Sequence, residues 1–130
     1  MMAHYLDTSA LVKLVVVEPD SDALYTWLSA ADRLPVASDL VRTELLRAVR
    51  RFPDQMVRAR DVLNSITLIR ADTGTFERAA LLDPVLLRSL DAVHLAAALE
   101  LGDDLEGVVT YDDRLAEAAA LHGARVLAPH

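Results

Sequence analysis

The chain contains no cysteine. That excludes disulfides and thiolate metal sites, and it suits a reducing compartment. A basic leader followed by an apolar core is also missing. The apolar run Leu11 to Val17 is interrupted by Lys13 and closed by Glu18-Pro19, so it is neither a signal peptide nor a membrane span. The expectation is a soluble, cytoplasmic protein. No glycine-rich loop follows any predicted strand, which removes the dinucleotide fingerprint and the P-loop. No Ser/His/Asp arrangement is recognisable. His4, His94, His122 and His130 share no metal-ligand spacing. Lysine is nearly absent: Lys13 stands alone, and arginine carries the remaining positive charge. There is no internal repeat, low-complexity tract or interdomain linker.

What is present is short and acidic. A length of 130 residues predicts a single domain over residues 1–130, able to bury about two-thirds of its unfolded surface without staples. The 20 acidic residues exceed the 13 Lys and Arg, for a net charge of -7. A module that grips nucleic acid with its whole surface is usually basic. An enzyme that gathers acids in one pocket around a cation remains open.

Apolar runs and helical patterns alternate along the chain. Strands are predicted at 3–6, 35–37, 66–69, 108–110 and 125–127. Helices are predicted at 9–16, 22–31, 39–52, 54–64, 73–82, 90–101 and 112–122, with breaks at Pro19, Pro53 and Pro84. Such alternation implies βαβ units and an α/β fold, with a parallel sheet of four to five strands flanked by helices.

Four acids stand out against this pattern. Asp7 ends the first strand in YLDTS, and it has two readings. It is an N-cap, or it is a carboxylate at the mouth of a parallel sheet. Glu44 lies within the apolar stripe Leu40, Val41, Leu45, Ala48, Val49 and Phe52. A carboxylate there is costly unless it is paired or bound to metal; the structural alternative is an edge ion pair with Arg47 or Arg51. Asp91 opens the helix DAVHLAAALEL, in line with Leu95 and Leu99, and an N-cap is its structural alternative. Asp112, in VVTYDDRL, repeats the strand–acid–helix junction, with Asp113 as the competing residue.

If strands one and four are neighbours, Asp7 and Asp112 meet where the winding direction reverses. Four carboxylates together repel unless a cation neutralises them. Oxygen ligation without His or Cys suits Mg²⁺ or Mn²⁺. Such a site activates water against a phosphodiester. With the four taken together, Asp7 reads as a cluster member, while Thr8 or Ser9 supplies the cap. His94, three after Asp91, reads either as a group that touches the site or, the favoured reading, as a satisfied helix histidine. Ser9 and Thr110 read either as orienting hydroxyls or as ordinary junction residues. Arg114 reads either as a phosphate contact or as a solvated helix arginine.

The stretches YLDTSALVKL, VRTELLRA, LRSLDAVHLAAA and VVTYDDRLAEAAALHG, in this order and spacing, resemble the PIN-domain ribonucleases, specifically the VapC-type toxins of bacterial toxin–antitoxin pairs. The resemblance implies a three-layer α/β/α PIN-like domain. It implies an acidic cluster of Asp7, Glu44, Asp91 and Asp112, with Asp7 and Asp91 as direct metal ligands. The other two would bind through water or position the nucleophile. It further implies a Mg²⁺- or Mn²⁺-dependent endoribonuclease acting on an RNA substrate, a homodimer, and a cognate VapB-like antitoxin. Two competing classes are weaker. A receiver-like signalling module looks for adjacent acids near strand one, an acceptor Asp after strand three and a late lysine; here strand three ends in Ile69-Arg70-Ala71-Asp72, and no late lysine is present. A catalytically silent interaction subunit is disfavoured by four intact acids.

Overall fold

In the computed structural model, residues 2–130 are described. Five strands, β1 (Ala3–Leu6), β2 (Leu34–Ser38), β3 (Thr67–Ile69), β4 (Leu105–Val109) and β5 (Val126–Leu127), form one sheet in the order β3-β2-β1-β4-β5. All four pairings are parallel. The chain winds outward from β1 through β2 to β3, then returns to the other side of β1 for β4. The switch point therefore lies between β1 and β4, where a parallel α/β sheet opens a crevice beyond its strand ends.

Side-chain alternation sends successive residues to opposite faces. Leu6, Ala37 and Val109 join a core with helices α1 (Thr8–Val15), α2 (Ser21–Ser29), α3 (Leu40–Val49) and α4 (Pro53–Ser65). Their neighbours Tyr5, Val36 and Val108 join a second core with α6 (Ser89–Leu99) and α7 (Asp113–Leu121). Helix α5 (Thr73–Ala80) packs on α6 through Ala79, Ala92, Val93 and Ala96. The result is the three-layer α/β/α arrangement. Fully buried leucines on both faces, such as Leu11 and Leu95, each stabilise the layers by about 1.5–3 kcal/mol.

Local chemistry sets the helix ends. Asp72 and Thr75 form a reciprocal capping box at α5. Pro53 occupies the first position of α4, where its missing N–H costs nothing. The same proline shortens α3. Phe52, ahead of it, is held extended at φ -121 and ψ 101, so the helix expected to reach residue 52 ends at Val49. Phe52 and Ala48 are then exposed, and the buried stripe narrows to Val41, Leu45 and Val49. The acidic segment after α6 is a short 3-10 turn at 102–104, and β4 begins at Leu105 rather than at 108. Pairing with β1 recruits the earlier residues. Gly107 suits that strand: a Cβ there would stand 2.7 Å from Leu127 Cδ1 and 3.2 Å from the Arg125 carbonyl oxygen.

Candidate active site

Asp7 follows β1, and its backbone N–H reaches back to the Val109 carbonyl at 3.3 Å. Its side chain is buried yet fully engaged. Oδ1 accepts the Ala10 backbone N–H at 3.1 Å and the Ser9 hydroxyl at 2.7 Å. Oδ2 accepts the Thr110 hydroxyl at 2.7 Å. Asp7 is thus itself the N-cap of α1, which corrects the expectation that Thr8 or Ser9 would cap. Ser9 donates to the carboxylate instead, and Thr8 turns to Glu44. Burial lifts the Asp7 carboxyl above its ordinary 3.8, and the bonds from Ser9, Thr110 and Ala10 oppose that rise. Both hydroxyls therefore orient the acid.

Asp112, between β4 and α7, caps α7 through Oδ1, which accepts the N–H groups of Arg114 at 2.9 Å and Leu115 at 3.1 Å. Its second oxygen accepts no hydrogen bond from the described residues. Asp113 is exposed on the first turn of α7. Thr110 ties the two junctions together: it donates to Asp7 and accepts the Asp112 N–H at 3.1 Å.

Glu44 projects from the edge of the α3 stripe. Its partner is neither Arg47 nor Arg51 but His94, whose Nε2 lies 2.6 Å from Oε1. Thr8 donates to the same oxygen, also at 2.6 Å. Burial pushes the Glu44 carboxyl up, but the bonds from His94 and Thr8 outweigh it and hold the group below its ordinary value. Glu44 therefore stays ionised, with no hydrogen bond to Oε2 among the described residues.

Asp91 lies in the first turn of α6 but does not cap it; the cap position is Arg88. The half-buried Asp91 carboxylate takes no hydrogen bond or ion pair among the described residues. Burial raises its affinity for a proton, and the charges of Asp112, Asp7 and Glu44 raise it further. Asp91 is thus within electrostatic reach of the other three acids predicted from sequence. An open cleft of about 340 Å³ is lined by Arg88, Asp91, Asp112, Asp113 and Arg114. Arg88 and Arg114 are exposed, and neither is paired with a carboxylate among the described residues.

The donor set can be weighed against a cation. Among the described residues, no three His, Asp or Glu side chains stand in the tight group of a protein-caged ion. Mg²⁺ seldom uses such a cage. It keeps several waters and takes one or two carboxylates. Asp91 offers two unbonded oxygens, Asp112 and Glu44 one each, and Asp7 Oδ2 has room for a second partner. Carboxylates that repel one another, with Asp91 taking no ion pair among the described residues, fit a hydrated divalent cation.

Sequence reasoning placed His94 as a satisfied helix histidine. It is satisfied, but within the site, through Glu44 and the Tyr5 hydroxyl. The available signal was its spacing of three from Asp91, which puts both on one helix face. Tyr5, inside a short strand, carried no such signal.

The family described as "PIN domain" matches residues 4–121. Ribonuclease VapC46 of Mycobacterium tuberculosis (strain ATCC 25618 / H37Rv) is 46% identical over 131 residues, covering 99% of each chain. Ribonuclease VapC47 of Mycobacterium tuberculosis (strain CDC 1551 / Oshkosh) is 42% identical over 116 residues, covering 85% of each. A solved toxin–antitoxin complex from Klebsiella pneumoniae superposes with a TM-score of 0.75 at 22% identity, over 98% of each chain, a likeness of fold.

Proposed function

The chain belongs to the PIN-domain family, in its VapC type, and from that premise we propose that it is the metal-dependent endoribonuclease toxin of a toxin–antitoxin pair. The observation that carries this reading is Asp91, a half-buried carboxylate with no bonded partner, raised in proton affinity by burial and then by Asp112, Asp7 and Glu44. Asp7 and Asp91 would hold Mg²⁺ or Mn²⁺, with waters completing the shell. The ion, when bound, stabilises charge on the phosphate and makes its water more acidic.

The protein's own groups do the rest. Ser9 and Thr110 fix the Asp7 carboxylate. Glu44 and Asp112 each keep one oxygen for orienting the attacking water. Arg88 and Arg114 flank the cleft and contact phosphates on either side of the cut. Water attacks phosphorus in line, the bond to the 3′ oxygen breaks, and the products end in a 5′-phosphate and a 3′-hydroxyl.

The partners follow the same reading. An antitoxin of the VapB kind would seat an apolar segment in the groove among Leu14, Val16, Tyr25 and Arg58, where Val17, Tyr25 and Val57 are exposed. A second copy would cover the exposed Leu81, Val85, Leu86 and Leu121. Among the described residues no helix is long and apolar enough to cross a membrane, and we place the toxin's action, arrest of translation and growth, in the cytoplasm.

The test is cleavage of labelled RNA with Mg²⁺ or Mn²⁺, beside Asp7→Asn. Activity requiring the metal and lost in the variant is expected. Cleavage that persists in excess chelator, or that survives Asp7→Asn, overturns the mechanism.

A further inference from the structure

The Glu44–His94 contact continues inward. His94 Nδ1 lies 2.7 Å from the Tyr5 hydroxyl, and that hydroxyl accepts the Ser38 backbone N–H at 3.0 Å. Tyr5 and Ser38 are fully buried and His94 nearly so. Proton accounting fixes the ring. Glu44 Oε1, an ionised carboxylate oxygen, only accepts, so Nε2 must carry a hydrogen. The Tyr5 oxygen already accepts from the Ser38 N–H, and among the described residues its own hydrogen has Nδ1 at 2.7 Å, with the Ser38 hydroxyl as the alternative acceptor. A hydrogen on Nδ1 as well would turn the Tyr5 proton away from that 2.7 Å contact.

The ring is therefore the Nε2–H tautomer, and its donor points at one oxygen of Glu44. Thr8 takes the same oxygen. With two donors on Oε1, rotation of the carboxylate would break two short bonds, so Oε2 is held in one orientation.

Resting on the nuclease reading above, we propose that His94, locked by Tyr5, is a positioning residue that aims the free oxygen of Glu44 at the attacking water. It touches neither the RNA nor the reacting atoms. Groups that orient site carboxylates and imidazoles in this way typically carry about 10–100-fold of activity.

The test uses the full chain. Labelled RNA is first digested to map a cut site, and an oligonucleotide spanning that site then serves for kinetics. His94→Leu, which removes the donor, should lower kcat about 10–100-fold with KM little changed, because orientation of the water matters in the transition state alone. His94→Gln supplies an amide N–H toward Glu44 and a carbonyl toward Tyr5, and should recover most of that loss. Equal losses in the two variants, or a loss confined to KM, overturn the proposal. Tyr5→Phe offers a route that does not depend on the Leu variant folding. ¹⁵N resonances of His94 should show a bare Nδ1 and a protonated Nε2 in the wild type, and mixed tautomers in Tyr5→Phe. An Nδ1–H tautomer in the wild type refutes the lock. A wild type that cuts no RNA strikes the nuclease reading instead, and the ¹⁵N measurement still decides the lock.

Discussion

Thr110→Val isolates what holds Asp7 in place. Valine matches threonine in shape, so no cavity opens in this buried position. What disappears is the hydroxyl that donates to Asp7 Oδ2 at 2.7 Å and accepts the Asp112 N–H at 3.1 Å. A hydrogen bond to a charged group contributes about 1.5–3 kcal/mol. Asp112 is only partly buried, so water can replace the acceptor for its N–H, and the loss should stay within that range. With a urea m-value of about 1–3 kcal/mol/M, the midpoint should fall by roughly 1 M with m unchanged.

The pH dependence gives a second check. The hydroxyl stabilises the ionised carboxylate, so it opposes the rise that burial imposes on Asp7. In the variant that rise is larger. The bond's contribution is fully present well above Asp7's raised value and is lost as pH falls through it toward 3.8. The gap between wild type and variant should therefore narrow on acidification. Urea titrations at neutral and acidic pH measure both effects. A loss under about 0.5 kcal/mol at neutral pH, or a gap that widens as pH falls, would refute this account of Asp7.

Three further outcomes are expected. Asp91→Asn removes a carboxylate whose folded-state proton affinity is raised, a group that lowers stability as pH climbs past its ordinary 3.8; the metal-free variant should melt above wild type at neutral pH. It should also lose the Mg²⁺-induced rise in melting temperature, and scanning fluorimetry with and without the ion reads both. Arg88→Ala and Arg114→Ala should raise KM for RNA and flatten its salt dependence while leaving kcat nearly intact, since exposed phosphate contacts act mainly through counterion release; unchanged KM would remove them from the substrate path. On the proposed homodimer, Leu86→Asp, at a residue 93% exposed, should leave the melting temperature unchanged and yield a monomer in light scattering beside a dimeric wild type; a persistent dimer would place the second copy on another face, and a monomeric wild type would remove the dimer.

The sequence alone determined the alternation of strands and helices and the parallel sheet, and it singled out four acids. Those features are written in local signals: the spacing of apolar residues, proline breaks, and an acid at a strand-to-helix junction. Glu44 was legible because a charge sits oddly in an apolar stripe. The tertiary structure decided everything that depends on a partner far along the chain. It made Asp7 the cap of α1 while Thr110, 103 residues away, holds the other oxygen. It left Asp91 without a hydrogen-bond partner among the described residues, gave Glu44 a histidine 50 residues distant, and set Tyr5 behind that histidine from 89 residues away. Periodicity tells which face a side chain occupies. Which donor meets it there depends on how the sheet brings remote helices together, and no local pattern in either segment records that meeting.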